Sequence, residues 1–132
     1  MKLLQTDYKN KGFLYNSVAK EDLMDEKNTM ETSHIFNVNE MINYERGAVV
    51  SRTLIDRNTG TVTLFSFDKG QGLSEHTAPF DALVYVIDGS VDIMIASEKY
   101  HLEKDQIIIM PANKPHSLKG TERFKMLLIM IK

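Results

Sequence analysis

The stretch that decides the fold is GQGLSEHTAPFDALVYVIDG, residues Gly70–Gly89. It carries His76 among small and turn-forming residues and continues into the apolar run ALVYVI, which ends at Asp88-Gly89. An apolar run bounded by turn residues is typical of a buried strand, and Asp-Gly between two such runs predicts a β-hairpin. A histidine just ahead of a buried strand suits a metal ligand, a catalytic base or a core residue with satisfied hydrogen bonds, so the rest of the chain has to decide its role.

The chain on both sides of this stretch also reads as short strands. From Val49 onward, runs rich in β-branched and aromatic residues alternate with turn segments; the runs are VVSRTLI, TVTLFSF, ALVYVI, VDIMIA, KYHL, QIIIM and FKMLLIMI. Such a succession without helices between the strands favours an antiparallel sandwich or barrel over a βαβ sheet. We expect residues 31–132 to form this β domain, with a helical turn in NEMINY capped by Asn39.

Residues 1–30 differ from the rest, because they combine five lysines and five acidic residues with little apolar patterning. We expect a mostly polar N-terminal extension that is partly helical. The segment SVAKEDLMDE suits two or three helical turns with Ser17 as the N-cap.

Composition excludes several classes of function. A chain of 132 residues and 15.1 kDa fits one domain. With 16 Lys+Arg against 18 Asp+Glu it lacks the basic excess typical of nucleic-acid binding. The absence of cysteine excludes disulfides, thiolate metal sites and a thiol nucleophile. No apolar run approaches membrane length and nothing argues for secretion, so we expect a cytoplasmic protein without nucleic-acid or membrane partners.

Several strands are apolar on both faces, namely ALVYVI, QIIIM and MLLIMI. A half-exposed antiparallel strand should alternate apolar with polar residues, so something should cover the outer face. We expect a homodimer that packs sheet against sheet. The alternative is that the two sheets of a single sandwich account for the pattern.

The segment Gly70–Gly89 resembles the first motif of the cupin superfamily. That motif runs glycine, five residues, histidine, one residue, histidine, three or four residues, glutamate, six residues, glycine. Here Gly70 precedes His76 by the required five residues, and six residues separate position 82 from the closing glycine. The second histidine and the glutamate are replaced by Ala78 and Ala82.

The segment Asp105–Gly120 resembles the second cupin motif, since Pro111 and His116 fall on its proline and histidine positions. Asp105 and Asn113 replace turn glycines, and both residue types tolerate a left-handed backbone. The resemblance is to small single-domain cupins with a degenerate metal-binding motif, and it implies a jelly-roll β-barrel.

The resemblance implies that His76 and His116 survive from a four-ligand metal site and meet inside the barrel. Two imidazoles make a weak site for a divalent ion such as Zn, Ni, Mn or Fe. The other polar side chains considered as a third ligand are unconvincing by position or strand parity; they are His34, Gln71, Glu75, Asp81 and His101.

Three functions follow from these residues, and they leave open whether the protein is an enzyme. The first is a barrel whose mouth binds a small molecule, with His76 and His116 as polar anchors and Ala78 and Ala82 enlarging the cavity. The second is a metal-dependent cupin enzyme of the dioxygenase, decarboxylase or isomerase type with a two-histidine site. The third is a non-catalytic dimeric module that contacts a protein partner. The simplest reading of the histidines themselves is that they are hydrogen-bonded polar residues at a barrel mouth.

Overall fold

The protein is an all-β barrel, as the sequence predicts. A computed structural model describes residues 2–6 and 30–132. The strands are β1 (Lys2–Thr6), β2 (Ala48–Arg57), β3 (Gly60–Phe67), β4 (Gly72–His76), β5 (Asp81–Ile95), β6 (Glu98–Glu103), β7 (Ile107–Met110), β8 (His116–Lys119) and β9 (Phe124–Ile131), and a short 3-10 helix spans Val38–Glu40. The antiparallel jelly-roll barrel expected from the sequence is therefore confirmed.

The long strand β5 joins the two layers of the barrel. Its first half pairs with β7 on one side and β9 on the other, and β9 continues through β3 to β2 and β1, the last pair being parallel. Its second half pairs with β6 and β8, and β8 continues to β4. We call the first layer the large sheet and the second the small sheet.

Asp88 and Gly89 do not form the predicted hairpin. A two-residue hairpin turn of the Asp-Gly type needs a positive φ at both central residues, whereas Gly89 has φ of 73° and Asp88 does not have a positive φ. Instead, the pairing of β5 with β9 shifts register between Val86 and Asp88. The Asp-Gly pair is a bulge that bends one continuous strand out of the large sheet and into the small sheet.

A tight turn at Ala96 and Ser97 joins β5 to β6, where the sequence pattern predicts a turn between VDIMIA and KYHL. Ala96 and Ser97 have φ of 48° and 74°, which are the left-handed values of a hairpin turn. Neither residue is the glycine or asparagine that usually signals such a turn. This turn fixes the register of β6 and places Asp92 opposite His101.

The space between the sheets is filled by side chains from both. The rings of Phe67 and Phe124 stack with centroids 4.2 Å apart at one end of the core. The buried cluster around them draws on both layers and consists of Val49, Phe67, Ala82, Val84, Val86, Val91, Ile93, Ile95, Leu102, Met110, Leu118, Phe124 and Met126. Burial of this apolar surface is the main force that holds the two sheets together.

The chain segment 37–44, here called the strap, covers part of the outer face of the large sheet. Ile42 is buried there in a second apolar cluster. Its backbone carbonyls also accept hydrogen bonds from the sheet: Lys125 Nζ donates to Asn39 O at 2.7 Å, and Ser66 Oγ donates to Asn43 O at 2.8 Å. These bonds fix the strap to β3 and β9.

The strap contains the 3-10 helix, and the N-cap of this helix lies two residues earlier than expected. Asn39 lies inside the helix, whose N-cap position is Asn37, and no side chain caps it. At the end of the strap, Tyr44 donates a hydrogen bond of 2.6 Å to Asp88 Oδ2. Burial, together with this bond, raises the pKa of the Tyr44 hydroxyl, so the ring is held as a neutral donor.

The expected boundary between residues 30 and 31 stays a prediction. Strand β1, within the proposed extension, pairs with β2 from Lys2↔Ala48 to Thr6↔Arg52. The predicted helix with Ser17 as N-cap lies outside the described residues. No helix in the described parts of the chain has the length and apolar character needed to span a membrane.

Candidate functional site

His76 and His116 lie side by side at the mouth of the barrel. They are directly opposite each other in the pairing of β4 with β8. Their ring centroids are 4.4 Å apart, and the rings meet edge to face at 67°. His116 is buried at 6% exposure, whereas His76 is exposed. One imidazole therefore belongs to the wall of the barrel and the other to its rim.

A β-bulge brings His76 to this face. Leu73 is opposite Leu118 and His76 is opposite His116, so three residue steps on β4 match two on β8. Leu118 is in the buried core and Leu73 packs against it, so this is the inner face of the small sheet. Without the extra residue, strand alternation would place Glu75 opposite His116 instead.

Both imidazoles are oriented by backbone carbonyl groups. Nδ1 of His76 is 2.8 Å from Ser74 O, and Nδ1 of His116 is 3.0 Å from Lys114 O. A carbonyl oxygen only accepts hydrogen bonds, so Nδ1 of each ring must carry the proton. In the neutral form of each ring, Nε2 is then left with a free lone pair. The pair offers two imidazole nitrogens as acceptors or as ligands to an electrophile.

Ala82 lies on the inner face of the large sheet near the same end of the barrel. It is buried at 4% exposure and lies in register with Met110 on one side and Met130 on the other. Directly opposed residues of an antiparallel pair share a face, so these two methionines flank Ala82. The wall at this point is apolar and has a small residue at its centre.

Hydrogen bonds join the chain that follows His76 to the loop that precedes His116. The N–H of Asn113 donates to Ala78 O at 2.7 Å, and the N–H of Ala112 donates to Asp81 Oδ1 at 2.8 Å. Asn113 and Asp105 have φ of 65° and 69°. The expectation that these replacements of turn glycine adopt a left-handed backbone is confirmed.

The remaining candidates for a third ligand lie elsewhere or are already engaged. Glu75 is exposed and lines a small cavity with His116, and Asp81 accepts the loop hydrogen bond just described. His34 is exposed and pairs with Glu31 at 3.7 Å. Within the described residues no three side chains of His, Cys, Asp or Glu converge to hold a metal ion. The donors present there do not fit the four-ligand divalent centre that the motif implies.

His101 lies on the outer face of the small sheet, and the sequence pattern did not predict its partners there. His101 Nδ1 is 2.7 Å from Asp92 Oδ1, and His101 Nε2 is 3.4 Å from Glu103 Oε2. The hydrogen bond to Asp92, despite some desolvation, raises the pKa of His101, and the same bond lowers the pKa of Asp92. This pairing depends on the β5–β6 turn at Ala96-Ser97. Beside it, an open groove of about 570 Å³ separates β6 from β7.

Comparison with known proteins agrees with this architecture. A family model described as a cupin domain (Cupin 2) matches residues 63–131. A conserved protein of unknown function from Streptococcus pyogenes is 37% identical, with 78% of this chain and 90% of that chain covered and a TM-score of 0.75. A cupin superfamily protein from Desulfitobacterium hafniense is 27% identical over 77% and 94% of the two chains, with a TM-score of 0.73.

A Cupin 2 conserved barrel domain protein from Leptotrichia buccalis is 40% identical over 74% of this chain and 47% of that chain, with a TM-score of 0.72. No curated protein matches. Since the family model covers more than half of the residues, this chain belongs to the cupin family.

Proposed function

We propose that this cupin barrel binds a small organic molecule at its mouth, with His76 and His116 as the polar anchors. The observation that carries the proposal is the position of each Nδ1 against a backbone carbonyl oxygen, which favours the tautomer with a free lone pair on Nε2. A pocket that orients a ligand through a few placed polar groups in an apolar wall is the usual form of a small-molecule site.

The apolar wall around Ala82 supports this proposal. Ala82 takes the place of a longer ligand side chain, and its neighbours Met110 and Met130 are unbranched and adapt their shape readily. Ala78, in the loop at the rim, likewise takes the place of a longer ligand side chain. The four residues together give polar groups on the small sheet and a soft apolar surface on the large sheet.

The chemistry of the anchors limits the ligand. In the neutral tautomer each Nε2 accepts a hydrogen bond, which suits a hydroxyl, amide or carboxylic acid proton. Protonation of either ring would turn it into a donor for a carboxylate. We expect ligands that carry a hydroxyl or carboxyl group on an apolar body.

The metal-dependent enzyme is the weaker alternative. A catalytic divalent centre usually has three protein ligands, and the described residues supply two. A divalent ion such as Zn, Ni, Mn or Fe at His76 and His116 stays a prediction, and we derive no catalytic step from it.

We include a homodimer in the proposal because the outer face of the large sheet carries exposed apolar side chains. Beyond the strap this face is apolar, and the described part of the chain leaves it exposed: Ile107, Ile109 and Ile131 are 58%, 59% and 63% exposed, and Tyr85 is 38% exposed. Tyr85 lies opposite Ile107 across the β5–β7 pairing, so these side chains form a continuous surface. Contiguous apolar surface of this kind marks an interface, and a second copy would bury it. The same surface supports the dimeric interaction module as a second candidate function.

Nuclear magnetic resonance of the histidine rings tests the binding site. Small carboxylic acids, alcohols and amides are added to metal-free protein, and we expect some of them to shift the ring signals of His76 and His116. The His76→Ala/His116→Ala variant should bind these compounds at least about tenfold more weakly, the effect of losing one or two hydrogen bonds. His101→Ala on the outer face is the matched control. Equal binding by the double variant, or no binding at millimolar concentration, would contradict the proposal.

A further inference from the structure

We propose that the open edge of β6 is an interaction surface for a second copy of this chain, in which the two β6 strands pair antiparallel about His101. Each residue of one strand then lies opposite the residue equally far beyond His101 in the other copy. The contact uses residues 98–104, which belong neither to the histidine pair at the mouth nor to the exposed outer face of the large sheet. The inference therefore does not rest on the proposed function.

One edge of β6 has no partner strand in the described part of the chain. β6 pairs over its whole length with β5, and no other described strand pairs with it. The groove of about 570 Å³ between β6 and β7 is lined by four consecutive residues of β6, which are Lys99, Tyr100, His101 and Leu102. Successive side chains of a strand point to opposite faces, so a groove lined by four in a row runs beside the backbone. Such an edge offers unpaired N–H and C=O groups to another chain.

The hairpin turn decides which backbone groups of β6 face this edge. Residues that flank a two-residue turn exchange hydrogen bonds, and bonded pairs alternate with non-bonded pairs along the ladder. Counted from the turn at Ala96-Ser97, the N–H and C=O groups of Lys99 and His101 point away from β5 and into the groove. The N–H of Glu103 follows the same alternation, since it donates to Gln106 Oε1 at 2.8 Å. Two copies that meet at His101 can therefore exchange backbone hydrogen bonds there.

The charges of residues 98–104, EKYHLEK, match themselves in the antiparallel direction. Pairing about His101 places Lys99 opposite Glu103 of the other copy. It also places Glu98 opposite Lys104, the first residue after the strand. Opposite charges on directly opposed residues stabilise a strand pair, and a two-fold axis makes each of these contacts twice.

Arrangements close to this one lose the match. A parallel pairing in register would place Lys99 opposite Lys99 and Glu103 opposite Glu103, and like charges in direct opposition destabilise a strand pair. A shift of the antiparallel pairing by one residue would place Lys99 opposite Leu102 or opposite Lys104. The charge pattern therefore selects both the direction of the second copy and its register.

The other contacts of the paired strands are compatible with this register. Tyr100, which is 40% exposed, lies opposite Leu102 of the other copy, and the incoming strand covers Ile107, which lines the groove. At the two-fold axis each His101 ring keeps the carboxylate of Asp92 from its own copy at 2.7 Å, which offsets its charge. One short strand pair buries less surface than a standard stable interface, so we expect association at about 100 µM and above.

Charge reversal on β6 tests the pairing by sedimentation equilibrium between about 1 µM and about 500 µM protein. At the highest concentration we expect a larger average mass for the wild type than for Lys99→Glu or Glu103→Lys, because each reversal opposes like charges twice. An equimolar mixture of the two single variants should regain the wild-type mass, since opposite charges then face each other again. The double variant Lys99→Glu/Glu103→Lys should regain it for the same reason.

The control variant is Lys119→Glu. It makes the same change of charge on an exposed residue of the same sheet, away from β6, and should keep the wild-type mass. The side chains of Lys99 and Glu103 are 65% and 71% exposed, so we expect the reversed variants to fold, and circular dichroism melting curves check this.

A cysteine at position 101 supplies a second measurement, because the chain has no cysteine of its own. Opposed residues of a hydrogen-bonded antiparallel pair have Cα atoms about 5.5 Å apart, which is within the range of a disulfide. Under mild oxidation we expect His101→Cys to form a linked dimer at least about tenfold faster than Met94→Cys, through the higher effective concentration of the paired thiols. Met94 lies on the same outer face and is 37% exposed.

Equal masses for the wild type and the single variants would overturn the inference and leave the edge of β6 to an extended segment of another protein. Failure of the mixture to regain mass, or equal rates of cross-linking, would also overturn it. The result is separable from the proposed function. The homodimer through the large sheet does not depend on the charges of β6, so it should give the same mass at the lowest concentration in every variant. The ring signals of His76 and His116 report the organic ligand independently.

Discussion

His116 and His101 lie on strands that both pair with the second half of β5, yet they occupy opposite faces of the small sheet. His116 faces the barrel, with Nδ1 on a backbone carbonyl. His101 faces outward between the carboxylates of Asp92 and Glu103. A carbonyl partner fixes a tautomer and leaves Nε2 available, whereas carboxylate partners favour the protonated ring and occupy both nitrogens. The partner, more than the histidine, decides which ring can bind a ligand.

The largest effect should come from restoring the carboxylate inside the barrel. The Ala78→His/Ala82→Glu variant completes the donor pattern of the motif around His76 and His116. We expect its affinity for Zn²⁺ or Ni²⁺, measured by competition with a chromophoric chelator, to rise by about a thousandfold or more, since four ligands replace two.

Without metal the same variant should be less stable than the wild type by about 2–4 kcal/mol, because position 82 is buried and the new carboxylate is desolvated with no metal ion to neutralise it. Added metal should recover that loss. Ala78→His/Ala82→Gln is the matched control, with similar size and no charge, and should gain far less affinity. If the glutamate variant binds no more tightly than this control, position 82 does not face the histidine pair.

The contrast between inner and outer faces extends to apolar side chains on β7. Ile108 packs against the core, whereas Ile107 and Ile109 point to the exposed outer face. We expect Ile107→Lys/Ile109→Lys to weaken a homodimer by about a hundredfold or more, since charges would enter the centre of the interface. Light scattering at micromolar concentration should change from about twice the 15.1 kDa chain mass to the chain mass.

Met94→Lys is the control for that experiment, because it adds a charge to the outer face of the other sheet. Its mass in solution should equal that of the wild type. A wild-type particle of 15.1 kDa would refute the dimer, and a stable double-lysine dimer would move the interface to another surface.

The sequence predicts the barrel well because its strands are long runs of β-branched and aromatic residues. The two strands that carry the histidines were not among the predicted runs: GLSEH and HSLK are short and polar, and they are strands because they pair with each other and, through β8, with β5. The hairpin prediction at Asp88-Gly89 is wrong because the same residues suit a turn and a bulge. Local sequence does not distinguish a bend between sheets from a reversal of the chain.

For the site, the motif spacing identified His76 and His116, but their orientation was not predictable from it. The tautomers depend on carbonyls two residues earlier, and the face of His76 depends on a bulge against a strand forty residues away. The register of β6 depends on a turn of alanine and serine, which gave no signal for the partners of His101. These features come from pairing between distant segments, which one sequence does not display.

The smallest expected effect concerns His101 on the outer face. Its folded-state pKa is raised above the ordinary value of about 6.5, first by the hydrogen bond to Asp92 and then by Glu103. The protonated ring is therefore favoured by folding, so the stabilisation is fully present below about pH 6.5 and is lost as the pH rises through the folded pKa. Asp92 also pairs with Lys99 at 3.4 Å, and its own lowered pKa matters only under more acidic conditions.

Chemical denaturation of wild type and Asp92→Asn at about pH 5.5 and about pH 8.5 measures this contribution, as a difference that should be larger at the lower pH. Nuclear magnetic resonance titration of the His101 ring should show a lower pKa in Asp92→Asn than in the wild type. Because His101 is exposed and Asp92 is partly exposed, salt should diminish both effects. If the stability difference is equal at the two pH values, Asp92 supports the strand pairing and not the charge on His101. The contrast between His101 and His116 would then rest on geometry alone.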